Sequence, residues 1–315
     1  MATKSYSFSN ISLCSSLDLP DLQEIPAGST KDSFLLRFNE AHSWDTSLVE
    51  KFTPLMKKVN NNEDLCLEIK RNSVSNDSQY YFLFPNIANF IFYEGNKSLE
   101  IWSKGDLATT SHLLLDHVCP YILSRLNPLV LHAGCVTKDE KSIVFCGHSG
   151  SGKSTISGKM IENSWKLVSD DLACFDSDYQ LLPTYDSIRL WKDSAEIVSQ
   201  EISKSQTRLS QRSEKQKLKL KDDLFFSGTA PFPSAIFVLA ANSQQSGFNI
   251  EPYSAQQSLI DLVSSSFLLS PEDSSRQFAA LQEIIGKSEV YKLSYRQTET
   301  SAEEIVEEIL HSKIV

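Results

Sequence analysis

No stretch constrains this chain more than Gly147-His148-Ser149-Gly150-Ser151-Gly152-Lys153-Ser154. It fits G-x-x-x-x-G-K-[ST], the pattern of a phosphate-binding P-loop. Glycines at positions 147, 150 and 152 let the backbone curl, so that several N–H groups point at one anion. The flanks suit this. Ser142 to Cys146 reads as a short buried strand, and Thr155 to Asn163 has the composition of a helix. That helix would add the positive end of its dipole. In such a loop Lys153 reaches the β- and γ-phosphates and the Ser154 hydroxyl ligates Mg²⁺. Gly147 through Thr155 are therefore the expected nucleotide contacts. The motif predicts a nucleotide and leaves the reaction open.

The chain has 315 residues, enough for one large or two modest domains. A net charge of −10 argues against a general nucleic-acid binder. No apolar run approaches eighteen residues, so no membrane span is expected. Met1 to Asn10 is polar and lacks the apolar core of a signal peptide. Cys14, Cys66, Cys119, Cys135, Cys146 and Cys174 contain no C-x-x-C pair, which predicts free thiols in a reducing cytoplasm.

Residues 1–127 read as a β-rich N-terminal domain closed by a linking helix. Tyr6 to Ile11 alternates as a half-buried strand does. Leu17 to Pro26, with two prolines, reads as a turn, and Asn60 to Asn62 as a loop. Further strands are expected at Ser33–Phe38, Leu65–Lys70 and Tyr80–Phe84. Phe90–Tyr93 and Ser98–Trp102 suggest a hairpin around Glu94-Gly95-Asn96. Thr109 to Leu126 changes to helical spacing, and Pro120 should kink or split that helix. His112 and His117 on it are expected to be packing or surface residues.

Residues 128–315 read as an α/β nucleotide core. Leu129 to Val136 predicts one strand, which would carry His132 beside the strand leading into the glycine loop. Lys166 to Asp171 predicts a strand ending in two carboxylates, Asp170 and Asp171. An acid at a strand's C-terminal end near Mg²⁺ is the Walker-B arrangement, and a second acid can accept a proton from a hydroxyl. Alternation along a strand would turn only one of the two toward the phosphates. Arg189, in the apolar strand Ile188–Trp191, is either a phosphate ligand or a surface arginine. Asp193 to Ile202 predicts a helix. Ser203 to Asp223, with Lys215, Lys217, Lys219 and Lys221, predicts an exposed strand or flap. A strand at Ser234–Ala240, helices at Gln256–Leu269 and Pro271–Ile285, a last strand at Val290–Tyr295 and a helix at Ser301–Ser312 complete the pattern.

Leu131-His132-Ala133, the glycine loop and Val168-Ser169-Asp170-Asp171 together resemble the catalytic core of HPr kinase/phosphorylase. In that family a histidine precedes the first loop glycine by fifteen residues, as His132 precedes Gly147, and an acid follows the loop serine by seventeen, as Asp171 follows Ser154. Phe8 to Leu13, Leu17 to Leu22 and Ile188 to Glu196 are similar to HPr-kinase-like proteins of peptide natural-product pathways, lasso peptides among them. The resemblance implies an ATP- and Mg²⁺-dependent serine kinase with a peptide or protein acceptor. It implies Asp171 as general base, His132 assisting it, Lys153 on the phosphates and Ser154 on Mg²⁺. From the residues themselves, Asp171 is also a candidate metal ligand, and Asp170 and Arg189 are further catalytic candidates. HPr kinases assemble as hexamers, which leaves homo-oligomerisation open. The family's E-x-R-G-L-G signature is missing, and Asp186 is the nearest substitute acid. Its later catalytic arginine is missing too, and one of the lysines 215–221 stands as its replacement. Two rival readings remain: a nucleotide-binding switch or scaffold without an acceptor, and a kinase of a small hydroxylated metabolite.

Overall fold

The computed structural model describes residues 3–29, 32–39, 46–60, 63–74, 77–198, 200–210, 213–241 and 247–312. The loop expected at Asn60–Asn62 lies partly outside them. Contacts divide the chain into two compact units, Met1–Val118 and Cys119–Val315.

The first unit is built on one sheet of nine strands. These are β1 (Lys4–Phe8), β2 (Ile11–Ser15), β3 (Gln23–Ile25), β4 (Asp32–Asn39), β5 (Thr53–Val59), β6 (Leu65–Val74), β7 (Asp77–Phe84), β8 (Ala88–Tyr93) and β9 (Ser98–Ser103). Their order is β3-β1-β2-β4-β9-β8-β7-β6-β5. Side chains alternate across the sheet. Tyr80 stacks on Phe92, which also meets Phe34. Tyr81, Ile91 and Trp102, of opposite parity, form a second cluster with Phe52. Both faces of the sheet's middle are therefore buried. The hairpin around Gly95 is present, with Tyr93 opposite Ser98. The stretch from Leu17 to Pro26 is more than the expected turn, because Gln23–Ile25 pairs with β1. β5, an edge strand with a mostly exposed pattern, carries no apolar alternation and was not expected.

The helix after β9 is interrupted, as Pro120 predicts, but upstream of the proline. It runs as α1 (Leu107–Leu113), a π-helical turn (Leu114–Val118) and α2 (Cys119–Leu126). Pro120 has no N–H for the Asp116 carbonyl, and the hydrogen-bond ladder shifts register before it. His112 bonds Asp116 at 2.6 Å and His117 packs on Phe84, so both histidines are structural.

The second unit contains β10 (Leu129–Leu131), β11 (Ala133–Lys138), β12 (Lys141–Cys146), α3 (Lys153–Glu162), β13 (Lys166–Ser169), β14 (Ala173–Phe175), β15 (Leu181–Leu182), β16 (Ser187–Leu190) and α4 (Lys192–Ile197). β17 (Ser203–Arg208), β18 (Gln216–Leu220), β19 (Pro233–Ala241), β20 (Phe248–Pro252), α5 (Ala255–Ser264), α6 (Ser274–Lys287), β21 (Glu289–Tyr295) and α7 (Ala302–His311) follow. A six-stranded mixed sheet, β13-β11-β12-β19-β21-β20, forms its centre, with β12, β19 and β21 parallel. Ile143, Phe145, Ala235 and Phe237 pack against Ile156 and Met160 of α3 and Ile305 and Ile309 of α7. Their neighbours Val144, Cys146, Ile236 and Val238 pack against Leu262 of α5 and Leu281 and Ile284 of α6. One sheet with helices on two faces results, a mixed α/β architecture.

Two expectations are corrected here. The strand predicted from Leu129 to Val136 breaks at His132. β10 joins a three-stranded sheet with β14 and β15, while β11 joins the central sheet. At the break the His132 N–H donates to the Ser265 carbonyl, outside either ladder. The helix predicted from Asp193 to Ile202 ends at Ile197, because Val198 is extended. The lysine-rich stretch takes the strand form of its two expected alternatives: β17, mostly exposed, pairs with β18, and β18 pairs with β16 and buries Leu218 and Leu220.

Candidate active site

The Gly147–Ser154 loop joins the end of β12 to the start of α3. Gly152 has φ +88°, and a Cβ there would lie 2.5 Å from the Tyr295 hydroxyl. Gly147 has φ +149°, and a Cβ there would lie 2.7 Å from the Ser151 hydroxyl and 3.0 Å from the Leu239 carbonyl. Both conformation and space therefore demand glycine. The loop is held from the end of β21. The Tyr295 hydroxyl donates to the Ser151 carbonyl, and the Gln297 amide donates to the Gly150 carbonyl at 2.6 Å. Neither residue stood out in the sequence, since nothing local ties them to a loop about 145 positions earlier.

Lys153 is 4 % exposed and its ammonium is fully engaged. It donates to the carbonyls of Gly147 at 2.9 Å and His148 at 3.2 Å, and meets His132 Nε2 at 3.2 Å. His132 Nδ1 lies 3.0 Å from the Asp171 carbonyl oxygen. A carbonyl can only accept, so Nδ1 carries the proton and Nε2 offers its lone pair to Lys153. His132 is therefore neutral. Burial lowers its pKa, and the nearby Lys153 and Lys215 charges act in the same direction, against the opposing pull of Asp171. Burial also lowers the pKa of Lys153, opposed by Asp171 and Asp170.

The two carboxylates have different environments. Asp170 is fully buried, and its Oδ2 accepts the Arg189 N–H at 2.7 Å. Burial, reinforced by the charge of Asp171, pushes its carboxyl up to about 7. Its Oδ1 and the buried Ser157 hydroxyl have no hydrogen-bond partner, and both lie within 4 Å of the Cβ position of Gly134. Asp171 instead faces cations. Its Oδ2 is 3.4 Å from the Lys215 ammonium and its Oδ1 is 4.0 Å from His132 Nε2. Burial opposes its ionisation, but the charges of Lys215, Lys153 and Arg189 outweigh it and hold the carboxyl below the ordinary range. The divergence comes from the backbone and not from strand alternation. β13 stops at Ser169, and Asp171 is left-handed with φ 62°, a conformation that Asp tolerates better than most residues.

A cavity of about 1000 Å³ opens on this cluster. Its wall includes Ser149, Gly150, Gly152, Lys153, Ser154 and Thr155 from the loop and α3, together with Asp171, Arg189 and Lys215. Gly147, His148 and Ser151 line a separate cavity of about 570 Å³, which Ser149 and Gly150 share. His132 and Asp170 lie behind the first cavity and touch its wall through Lys153, Asp171 and Arg189. Arg189 is only 2 % exposed, and its guanidinium stacks 3.5 Å from the Tyr185 ring centre. It is thus no surface arginine. Asp186 pairs with Lys219 at 3.5 Å and is not part of the cavity wall. Of the four lysines, Lys215 pairs with Asp171 and lines the cavity; it precedes β18, and its carbonyl accepts the Leu209 N–H.

Beside Lys153 the cavity wall offers the Ser154 hydroxyl and Asp171 as hard oxygen donors, and its other carboxylates come from α4 and from Glu299 to Glu307. No group of three or more His, Cys, Asp or Glu side chains able to hold a metal occurs among the described residues. The Ser154–Asp171 pair fits Mg²⁺, which takes one or two protein ligands and completes its shell with phosphates and water. It does not fit a resident, protein-caged metal. Among the described residues no helix is long and apolar enough to cross a membrane.

No protein-family model matches the chain, and no curated protein does. Among solved structures, the HPr(Ser) kinase/phosphatase from Coxiella burnetii overlaps 50 % of this chain and 88 % of its own, at 12 % identity and a TM-score of 0.23. A score of that size does not by itself establish a common fold.

Proposed function

We propose that this chain is an ATP-dependent serine kinase that transfers the γ-phosphoryl group to a serine hydroxyl of a peptide or protein. The observation that carries this reading is one arrangement. An ionised, cation-flanked Asp171 shares a cavity wall with Lys153 and the N-terminus of α3. A glycine loop at a helix start suits phosphates, and an ionised carboxylate beside it suits a hydroxyl proton. A pure nucleotide switch has no need of the His132–Asp171 pair.

In the proposed reaction the serine oxygen attacks the γ-phosphorus in line, and the bond to the β–γ bridging oxygen breaks. The serine proton passes to Asp171, leaving ADP and phosphoserine. Lys153 exchanges its loop carbonyls for phosphate oxygens. His132, through its Nδ1–H to the Asp171 carbonyl, holds that residue in its left-handed turn. Lys215 keeps Asp171 ionised and stands ready to stabilise charge on the transferred group. Ser154 and Asp171 would hold Mg²⁺, which supplies charge neutralisation at the phosphates.

The test is mass spectrometry of serine-containing peptides, lasso-type precursors and HPr after incubation with ATP and Mg²⁺. One added phosphate is expected. It should fall by about 10²- to 10⁴-fold in Asp171→Asn while ATP affinity stays within about threefold. Near-full transfer by Asp171→Asn would refute the base assignment. ATP turnover with no phosphorylated acceptor would favour the switch.

A further inference from the structure

The large cavity carries both signs of charge. Its cations, Lys153, Arg189 and Lys215, are buried or nearly so and flank the Asp170–Asp171 pair. α4 and the start of α7 also line it and contribute an acidic wall. Asp193, Glu303 and Glu307 are all exposed there. Asp193 and Glu307 carry no ion pair among the described residues, and Glu303 reaches Lys159 only at 4.0 Å. Two exposed apolar side chains, Trp191 at 45 % and Ile197 at 51 %, line the cavity as well, and the Lys215 ammonium lies 5.9 Å from the Trp191 ring centre. Large apolar groups that exposed on the wall of a cleft mark a binding surface more often than a solvated one.

A volume of about 1000 Å³ is at the upper end of what one compact ligand occupies, leaving space for a second reactant beside a nucleotide. A nucleotide's phosphates match the cations. They do not match a wall of carboxylates.

We infer that the acidic wall with Trp191 and Ile197 is the docking surface for the acceptor, and that the acceptor is a cationic peptide segment carrying an aliphatic residue and Lys or Arg beside its serine. This rests on the kinase reading for the role of the serine, but its recognition chemistry can be measured without transfer. A small anionic metabolite is the acceptor this wall disfavours most. The aliphatic residue packs on Trp191, and the Lys or Arg groups meet Asp193 and Glu307.

The experiment measures fluorescence anisotropy of two labelled peptides with the intact protein and a non-hydrolysable ATP analogue. One has the form Arg-Leu-Ser-Leu-Lys, and its twin carries Glu at both charged positions. The cationic peptide should bind at least tenfold tighter, with the preference weakening as salt rises. The double variant Asp193→Lys, Glu307→Lys should erase or reverse it while leaving ATP affinity unchanged. Trp191→Ala should weaken both peptides alike. Equal binding of the twins, no binding of either, or an unchanged preference in the double variant would each overturn the docking inference. Phosphate transfer followed in parallel separates the two claims. Preferential binding without transfer leaves the docking surface standing and sinks the kinase. Transfer to both twins at equal rates does the reverse.

Discussion

At the scale of single residues, the adjacent acids Asp170 and Asp171 show how environment decides chemistry. Burial pushes the Asp170 carboxyl up to about 7, while cations hold that of Asp171 down. The sign for stability follows. Between roughly pH 4, the ordinary carboxylate value, and pH 7, folded Asp170 keeps its proton while the unfolded chain releases it. Folding stability contributed by this group therefore falls across that window. Asp170→Asn mimics the protonated acid, and its carbonyl can accept the Arg189 N–H as the carboxylate does. Melting temperatures should show Asp170→Asn gaining on the wild type at pH 8 relative to pH 4. An equal difference at both values would contradict a raised carboxyl at this position. Asp170 and Asp171 were both legible as a pair in sequence. Their separate environments were not, because they depend on Arg189 and Lys215, which lie 19 and 44 positions away.

At the scale of elements, the glycine loop and the β17–β18 hairpin carry the site. Gly152→Ala forces a Cβ into the left-handed region, at about 1–2 kcal/mol, and onto the Tyr295 hydroxyl. Titration with ATP should then show affinity lost by at least tenfold. Retained affinity would mean that the loop does not hold the phosphates. The hairpin delivers Lys215 to Asp171. Because Lys215 lowers the Asp171 pKa, Lys215→Ala should raise it. The acid limb of the pH–rate profile should move to higher pH, so that activity is lost sooner as pH falls. An unmoved limb would remove Lys215 from the environment of the base. The hairpin's alternation was visible in Lys217-Leu218-Lys219-Leu220. Its pairing with β16 was not, since register is chosen by the partner strand.

On the whole-molecule scale, the unit Cys119–Val315 holds every element of the candidate site. A nucleotide that binds only the folded state at a hundred times its dissociation constant adds about 2.7 kcal/mol. For a unit of this size that is a rise of about 5–10 °C in its thermal transition. Differential scanning fluorimetry with ATP and Mg²⁺ should show the rise in the wild type and lose it in Lys153→Ala. No shift at saturating ATP would count against nucleotide binding altogether.

By itself the sequence determined what is local. The glycine loop, the strand before it and the helix after it are all set within about twenty residues, by backbone freedom, apolar alternation and helix propensity. The acid pair at the end of β13 and the β-rich character of the first unit are local in the same sense. Only the tertiary structure decided what is distant. The break at His132 arises because Ser265 accepts its N–H. Tyr295 and Gln297 hold the loop from the end of β21. Lys215 was chosen from four similar lysines by the pairing of β18. The physical reason is common to all three. A hydrogen bond or ion pair across tens of residues leaves no periodicity in the chain, and its partners are selected by packing rather than by their neighbours in sequence.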